Sequence, residues 1–265
     1  MPRHSNAFWI ASAAALSGYA ILLGGILFAT GSSASWEMVS KALATREIQY
    51  SIANSLLTCT LATILAMWVA APAAYFLSRC QFRGKIVLEL LIDFPVVMPP
   101  LVLGLGLLLL FQTTFGRWIE STLGLHFTYT VAGVVLAQLV VATAFAIRSL
   151  RTTFDEIPER NEGVARTLGA SDFQIFSRVV MPASRRGLLH ATAVSWARSL
   201  GEFGPILVFA GTTRMKTEVM PTTIFLELNV GNLESAAAVS ILLLLAAAIV
   251  LAVLRWIDSR EEERT

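Results

Sequence analysis

The stretch EIPERNEGVARTLGASDFQIFSRVVMPASRRGLL, Glu156 to Leu189, is polar and compatible with helix, and it lies between long apolar runs. Hydrocarbon leaves no partner for such side chains, so this stretch stands outside any bilayer. Asn161 to Leu168 reads as a short helix stopped by Gly169. Ser171 is placed to cap a second helix running to about Val180, with Asp172 in its first turn and Pro182 breaking the chain beyond. Two short helices hinged at Gly169-Ala170-Ser171 make a compact knob. Its apolar residues, Val164 and Leu168 on one helix and Phe173, Ile175, Phe176 and Val179 on the other, allow two readings. They form a surface for a protein partner, or they pack against the chain's own helix ends.

The rest of the chain is membrane material. Of its 265 residues 55% are hydrophobic and 14% charged, with a mean hydropathy of +0.68, against about 25% charged residues in a soluble domain. Apolar runs at about 8–29, 52–77, 86–111, 128–147, 188–211 and 236–256 predict six transmembrane helices. The fold class expected is an all-α integral membrane protein, one domain over 1–265, with the polar knob at about 156–186 between spans four and five. Ser33-Ala34-Ser35 follows the first run as a cleavage site would, but that run is too long for a signal peptide core. Pro95, Pro99, Pro100, Gly104 and Gly106 crowd the third run and predict a kinked or interrupted helix.

Basic residues set the orientation. With the N-terminus inside, the cytoplasmic set includes Arg79, Arg83, Lys85, Arg148, Arg151, Arg160, Arg166, Arg178, Arg185 and Arg186. The outer set is Lys41, Arg46, Arg117, Arg214 and Lys216. The excess places the knob and both termini in the cytoplasm. The net charge of +2 gives no reason to expect a nucleic-acid partner.

No phosphate-binding glycine loop, metal-ligand cluster or nucleophile elbow occurs, so neither a cofactor nor a resident metal is expected. His4, His126 and His190 lie far apart, and Cys59 and Cys80 read as free thiols. Arg198 and Glu202 stand four residues apart, on one face of the fifth span. An ionisable residue that deep costs about 2.5–3.5 kcal/mol unless paired or wetted. The pair either lines a route for an anion or forms an internal bridge. Gly201 and Gly204 beside it suit close helix contact, and Pro99, Pro100 and Gly104 are candidate gate partners. Glu89 and Asp93 are expected to pair with Arg83 and Lys85. Glu202 alone among acidic residues lies well within a predicted span, and no repeat is visible, which weakens an ion-gradient-driven transporter.

The knob resembles the coupling loop of binding-protein-dependent ABC importer permeases, whose pattern is E-A-A, three residues, G, nine residues, I-x-L-P. Gly169 falls three residues after Gly163-Val164-Ala165, and nine residues precede Val179-Val180-Met181-Pro182. Glu162 lies one position before the family's glutamate, so the resemblance points to shape rather than to that charge. FPVVMPPLVLG (Phe94 to Gly104) and ARSLGEFGPILVFAG (Ala197 to Gly211) are similar to segments of molybdate, tungstate and sulfate permeases. MPTTIFLELNVGNLESA (Met220 to Ala236) looks most like the molybdate/tungstate branch. The resemblance implies a homodimer in the inner membrane, a cytoplasmic ATPase dimer gripping the knob, an extracytoplasmic binding protein and an oxyanion cargo. It implies coupling residues Glu162, Val164, Ala165, Leu168, Gly169, Ala170, Ser171, Phe173 and Pro182.

Overall fold

A computed structural model describes the backbone of residues 6–32 and 35–262, and side chains from residue 8 to residue 252. Arg3, His4, the small residues at 33–34 and the final three residues lie outside the description. Every regular element among the described residues is helical. The N-terminal half holds α1 (Asn6–Ser32), α2 (Trp36–Ala44), α3 (Arg46–Arg79), α4 (Lys85–Val97), α5 (Pro100–Gln112), α6 (Thr114–Leu123) and α7 (Val131–Asp155). The rest comprises α8 (Glu159–Thr167), α9 (Asp172–Ile175), α10 (Met181–Ala183), α11 (Arg185–Leu200), α12 (Met220–Asn229) and α13 (Leu233–Glu262).

Helices α3 and α7 form the spine. Small residues make their approach possible: Cys59, Ala62, Ala66, Ala70 and Ala74 on α3 and Ala137, Ala142 and Ala146 on α7 are buried. In hydrocarbon no hydrophobic effect drives such contacts, so close backbone approach and dispersion hold them. Helix α11 leans on both. Helix α1 is the opposite case: the side chains described on it are exposed or nearly so, and it touches α13.

Four helices are long and apolar enough to cross a membrane, and α4 with α5 makes a fifth if the bent pair is one span. Six unbroken spans are therefore not what the chain forms. The third run is interrupted, as its prolines predict: α4 ends at Val97, Pro99 is extended, and α5 departs at 115°. The fifth run, expected as one helix over 188–211, leaves α-geometry after Leu200 and resumes as a wide π-type turn, Ile206–Ala210. Pro205 explains the break, since it has no N–H for the carbonyl of Gly201.

The two ends of the spine differ in chemistry. At one, Tyr50 donates to the Lys216 carbonyl (2.7 Å), Asn54 to that of Glu218 (2.8 Å), and Arg214 reaches Glu227 at 2.7 Å. The Glu227 hydrogen bond holds the Arg214 guanidinium above its ordinary value, and burial pushes the Glu218 carboxyl up. At the other end lie Arg79, Lys85, Arg151 and the knob. Glu89 meets Arg151 there at 3.0 Å and Lys85 only at 4.0 Å, so its closest partner comes from α7 and not from the expected basic turn.

Candidate functional site: a tethered knob and a helix-break seam

The knob forms for local reasons. Helix α8 ends at Thr167 with Leu168 as its cap, and Gly169 turns the chain with φ +87°, a conformation that side-chain-bearing residues rarely adopt. Ser171 caps α9, and Gln174 reaches back to the Ser171 N–H in a reciprocal capping box. Arg166 ties the two helices together through Asp172 at 3.0 Å, a hydrogen bond that holds its guanidinium above the ordinary value. Pro182 does not break the chain as expected. Helical backbone continues from Asp172 to Ala183 by widening into a π-type turn over Phe176–Val180, where Met181 N–H bonds back to Phe176. That turn absorbs the donor that proline lacks. Ser184 ends the run instead.

The two readings of the knob's apolar residues divide residue by residue. Ile175 and Val180 are buried, with Phe176 half-buried, against Ala70, Ala74, Leu150 and Phe154. Tyr75 joins them, its ring 5.1 Å from that of Phe176 and 6.0 Å from that of Phe154. Val164 (53% exposed), Leu168 (82%) and Phe173 (76%) face outward, while Ala165 and Ala170 are partly covered. An outward Leu and Phe flanking one turn form an apolar surface left uncovered by the described residues. Beside it opens a recess of about 550 Å³ lined by Tyr75, Phe76, Arg79, Cys80, Glu162 and Arg166, among others.

Glu162 departs from its reading as a position of shape. Its carboxylate is buried and both oxygens are engaged: Arg79 Nε donates to Oε1 at 2.7 Å and the Tyr75 hydroxyl to Oε2 at 2.8 Å. Arg79 also donates to the Ile157 carbonyl (3.0 Å) and to Ser78 (2.9 Å). Removing one member of a pair this buried costs about 3–5 kcal/mol, because the other charge is stranded. The one-residue offset of Glu162 puts it on the helix face turned towards α3. Tyr75 and Arg79 escaped the sequence reading, since nothing local to either residue names a partner more than 80 positions away.

The second group lies at two helix breaks. The break between α4 and α5 and the break after α11 meet. A methyl group on Gly204 would stand 2.5 Å from Pro100 Cβ, and one on Gly104 2.8 Å from the Pro205 backbone. Pro100, Gly104 and Gly204 are thus brought together, with Pro99 capping the start of α5. Gly201 is not part of the contact: no neighbouring helix approaches within 4 Å, and it is exposed. Arg198 and Glu202 face each other at 3.6 Å, too long for a hydrogen bond. Glu202 is buried, whereas Arg198 keeps 40% of its side chain exposed, its guanidinium 5.5 Å from the Phe145 ring. Glu202 Oε2 has no hydrogen-bond partner among the described residues, nor do Ser195 Oγ, Ser199 Oγ, Gln138 Oε1 and Thr63 Oγ1. Gln138 itself donates to the Ser199 carbonyl and to Cys59, each at 3.2 Å, so a polar seam runs where α3, α7 and α11 cross.

The family described as "Binding-protein-dependent transport system inner membrane component" matches residues 62–263. The sulfate transport system permease protein CysT of Escherichia coli K12 is 30% identical over 228 residues, covering 85% of this chain and 82% of that protein. The molybdenum transport system permease protein ModB of Mycobacterium tuberculosis is 34% identical over 219 residues, 81% of each. Among solved structures, a bacterial alginate ABC transporter in complex with its pentasaccharide-bound periplasmic protein has a chain that superposes with a TM-score of 0.72. That match has 16% identity and covers 97% of this chain and 95% of that one. The inward-facing MetNI methionine ABC transporter gives 0.61 at 14% identity, over 81% and 98%. With the long apolar helices in place and the match spanning most of its length, the chain belongs to the binding-protein-dependent transport system inner membrane components, a multi-pass membrane family.

Proposed function

We propose that this chain is the permease subunit of an ATP-driven ABC importer for an oxyanion, with molybdate or tungstate favoured. The observation that carries it is the outward Val164, Leu168 and Phe173 surface on a knob rooted in the spine, in the segment that resembles a coupling loop. Two copies would flank a central pathway, each knob seated in one subunit of a cytoplasmic ATPase dimer. A binding protein would deliver cargo at the opposite end, around Arg214 and Glu227. Counting α4–α5 as one broken span, and α11 with the Ile206–Ala210 turn as another, gives six crossings with both termini cytoplasmic. ATP binding would draw the knobs together and open the pathway outward; hydrolysis and release would reset it. Sulfate is the second reading, supported by relatives such as CysT at comparable identity.

Purifying the chain with the products of neighbouring genes and measuring uptake into vesicles tests this reading. An ATPase subunit should co-purify, and ATP-dependent uptake of molybdate should exceed that of sulfate. Preferential sulfate uptake exchanges the cargo, and absence of any ATPase partner sinks the importer. Within the pathway we assign Arg198 to helping an anion pass; a guanidinium that is partly exposed and not hydrogen-bonded to Glu202 supports this. Arg198→Gln should therefore lower uptake about tenfold, equivalent to losing about 1.4 kcal/mol, with Arg198→Lys retaining part of the rate. A fall in melting temperature with uptake per folded transporter unchanged would make the pair an internal bridge instead.

A further inference from the structure

We propose that Arg79, Tyr75 and Glu162 form a clamp that positions the knob on α3, so that knob and spine move as one body. The proposal rests on the importer reading and adds a part to it. Helix α8 is short, and much of its surface is exposed; a short helix on a flexible connection would absorb a pull by bending rather than pass it on. Three kinds of contact prevent this. Glu162, in the middle of α8, has both oxygens held by the last two turns of α3. Arg79 holds the entry to α8 as well, through the Ile157 carbonyl at 3.0 Å. Apolar contacts of Ile175, Phe176 and Val180 against Tyr75 and Phe154 fasten the α9 side.

The direction of these bonds matters as much as their number. Arg79 Nε and the Tyr75 hydroxyl approach Glu162 from successive turns of one helix, four residues apart. The carboxylate is therefore restrained along the α3 axis and across it. Arg79 also donates to Ser78, which donates in turn to Asp155 at the end of α7, and Arg151 of α7 continues to Glu89 of α4 at 3.0 Å. A displacement of α8 is thus delivered to the ends of α3, α7 and α4 together. Leu168 and Phe173 are exposed and make none of these contacts, so the docking face and the anchoring contacts share no side chain.

The test uses the whole complex (permease, ATPase subunit and binding protein) in proteoliposomes, with molybdate and sulfate as probes. The readout is anion imported per ATP hydrolysed, for Glu162→Gln, Arg79→Gln, the double variant and Tyr75→Phe. Glu162→Gln and Arg79→Gln should each lower the ratio about tenfold while hydrolysis stays within about twofold and the ATPase subunit still co-purifies. The double variant should be no worse than either single, as for partners in one interaction. Tyr75→Phe, which keeps the ion pair, should lose about two- to threefold, and it carries the test if Glu162→Gln fails to accumulate. An unchanged ratio in the single variants overturns the clamp, as does an additive double variant. Loss of ATPase co-purification in step with uptake overturns it too, by making Glu162 part of the docking face. A wild-type chain that binds no ATPase fails the importer reading before any variant is compared.

Discussion

Replacing Leu168 and Phe173 together by aspartate should release the ATPase subunit while leaving the permease folded. Both side chains are mostly exposed, at 82% and 76%, so neither supports the chain's own core. Burying a large apolar side chain against a partner gains about 1.5–3 kcal/mol. Losing two forfeits on the order of 3–6 kcal/mol, and each 1.4 kcal/mol is about a factor of ten in affinity. Binding in detergent should weaken at least about a hundredfold. The melting temperature should barely move, since surface changes away from special contacts stay within about 0.5 kcal/mol. Ile175→Asp makes the contrast, because Ile175 is fully buried beneath the same knob and a charge there should unfold it. Retained affinity in the double variant would remove the knob from the interface.

Gly204→Val should disrupt the seam between the two broken helices. The added Cβ alone would sit 2.5 Å from Pro100 Cβ and 3.0 Å from the Pro100 carbonyl carbon. Neither atom can swing aside, because a proline ring and the backbone at a helix start have no free rotor. Overpacking of this kind costs about 1–3 kcal/mol, more where the backbone must shift. A lower melting temperature and loss of uptake are both expected. Gly201→Val, three residues away, should be tolerated in the folded chain because its Cβ would meet only the Ala197 and Arg198 carbonyl oxygens, each at 3.9 Å. Equal melting curves for the two valine variants would contradict the seam.

The knob was legible from sequence because its boundaries are set by residues acting locally. Gly169 supplies a left-handed turn and Ser171 a cap, each within four positions of the group it serves. Which apolar side chains faced outward was not legible, since Leu168 and Ile175 are equally apolar and differ only in what the folded spine puts beneath them. The role of Glu162 was hidden for the same reason: its partners lie on α3, and an offset of one residue turns a side chain by about 100° around its helix. The interrupted third run was foreseeable from its prolines. The interruption in the fifth was missed, although Pro205 carried the signal and Arg198 and Glu202 already marked the run as polar there. The Arg198–Glu202 spacing predicted one shared face but could not set how closely the charges meet.

Helix α3 has 34 residues, a length of about 51 Å at 1.5 Å per residue, against a hydrocarbon core of about 30 Å. It must lean, project into the headgroups, or both. Arg79 at its tip then sits about 25 Å from the helix midpoint, and tilting the rod by 10° swings that tip about 4 Å, roughly the rise of three helical residues. With Glu162 bound to the tip, the resting height and angle of the knob follow the tilt of α3, and tilt follows membrane thickness. Short-chain and long-chain phospholipids should therefore shift the rate at which the same transporter engages its ATPase, with no residue changed.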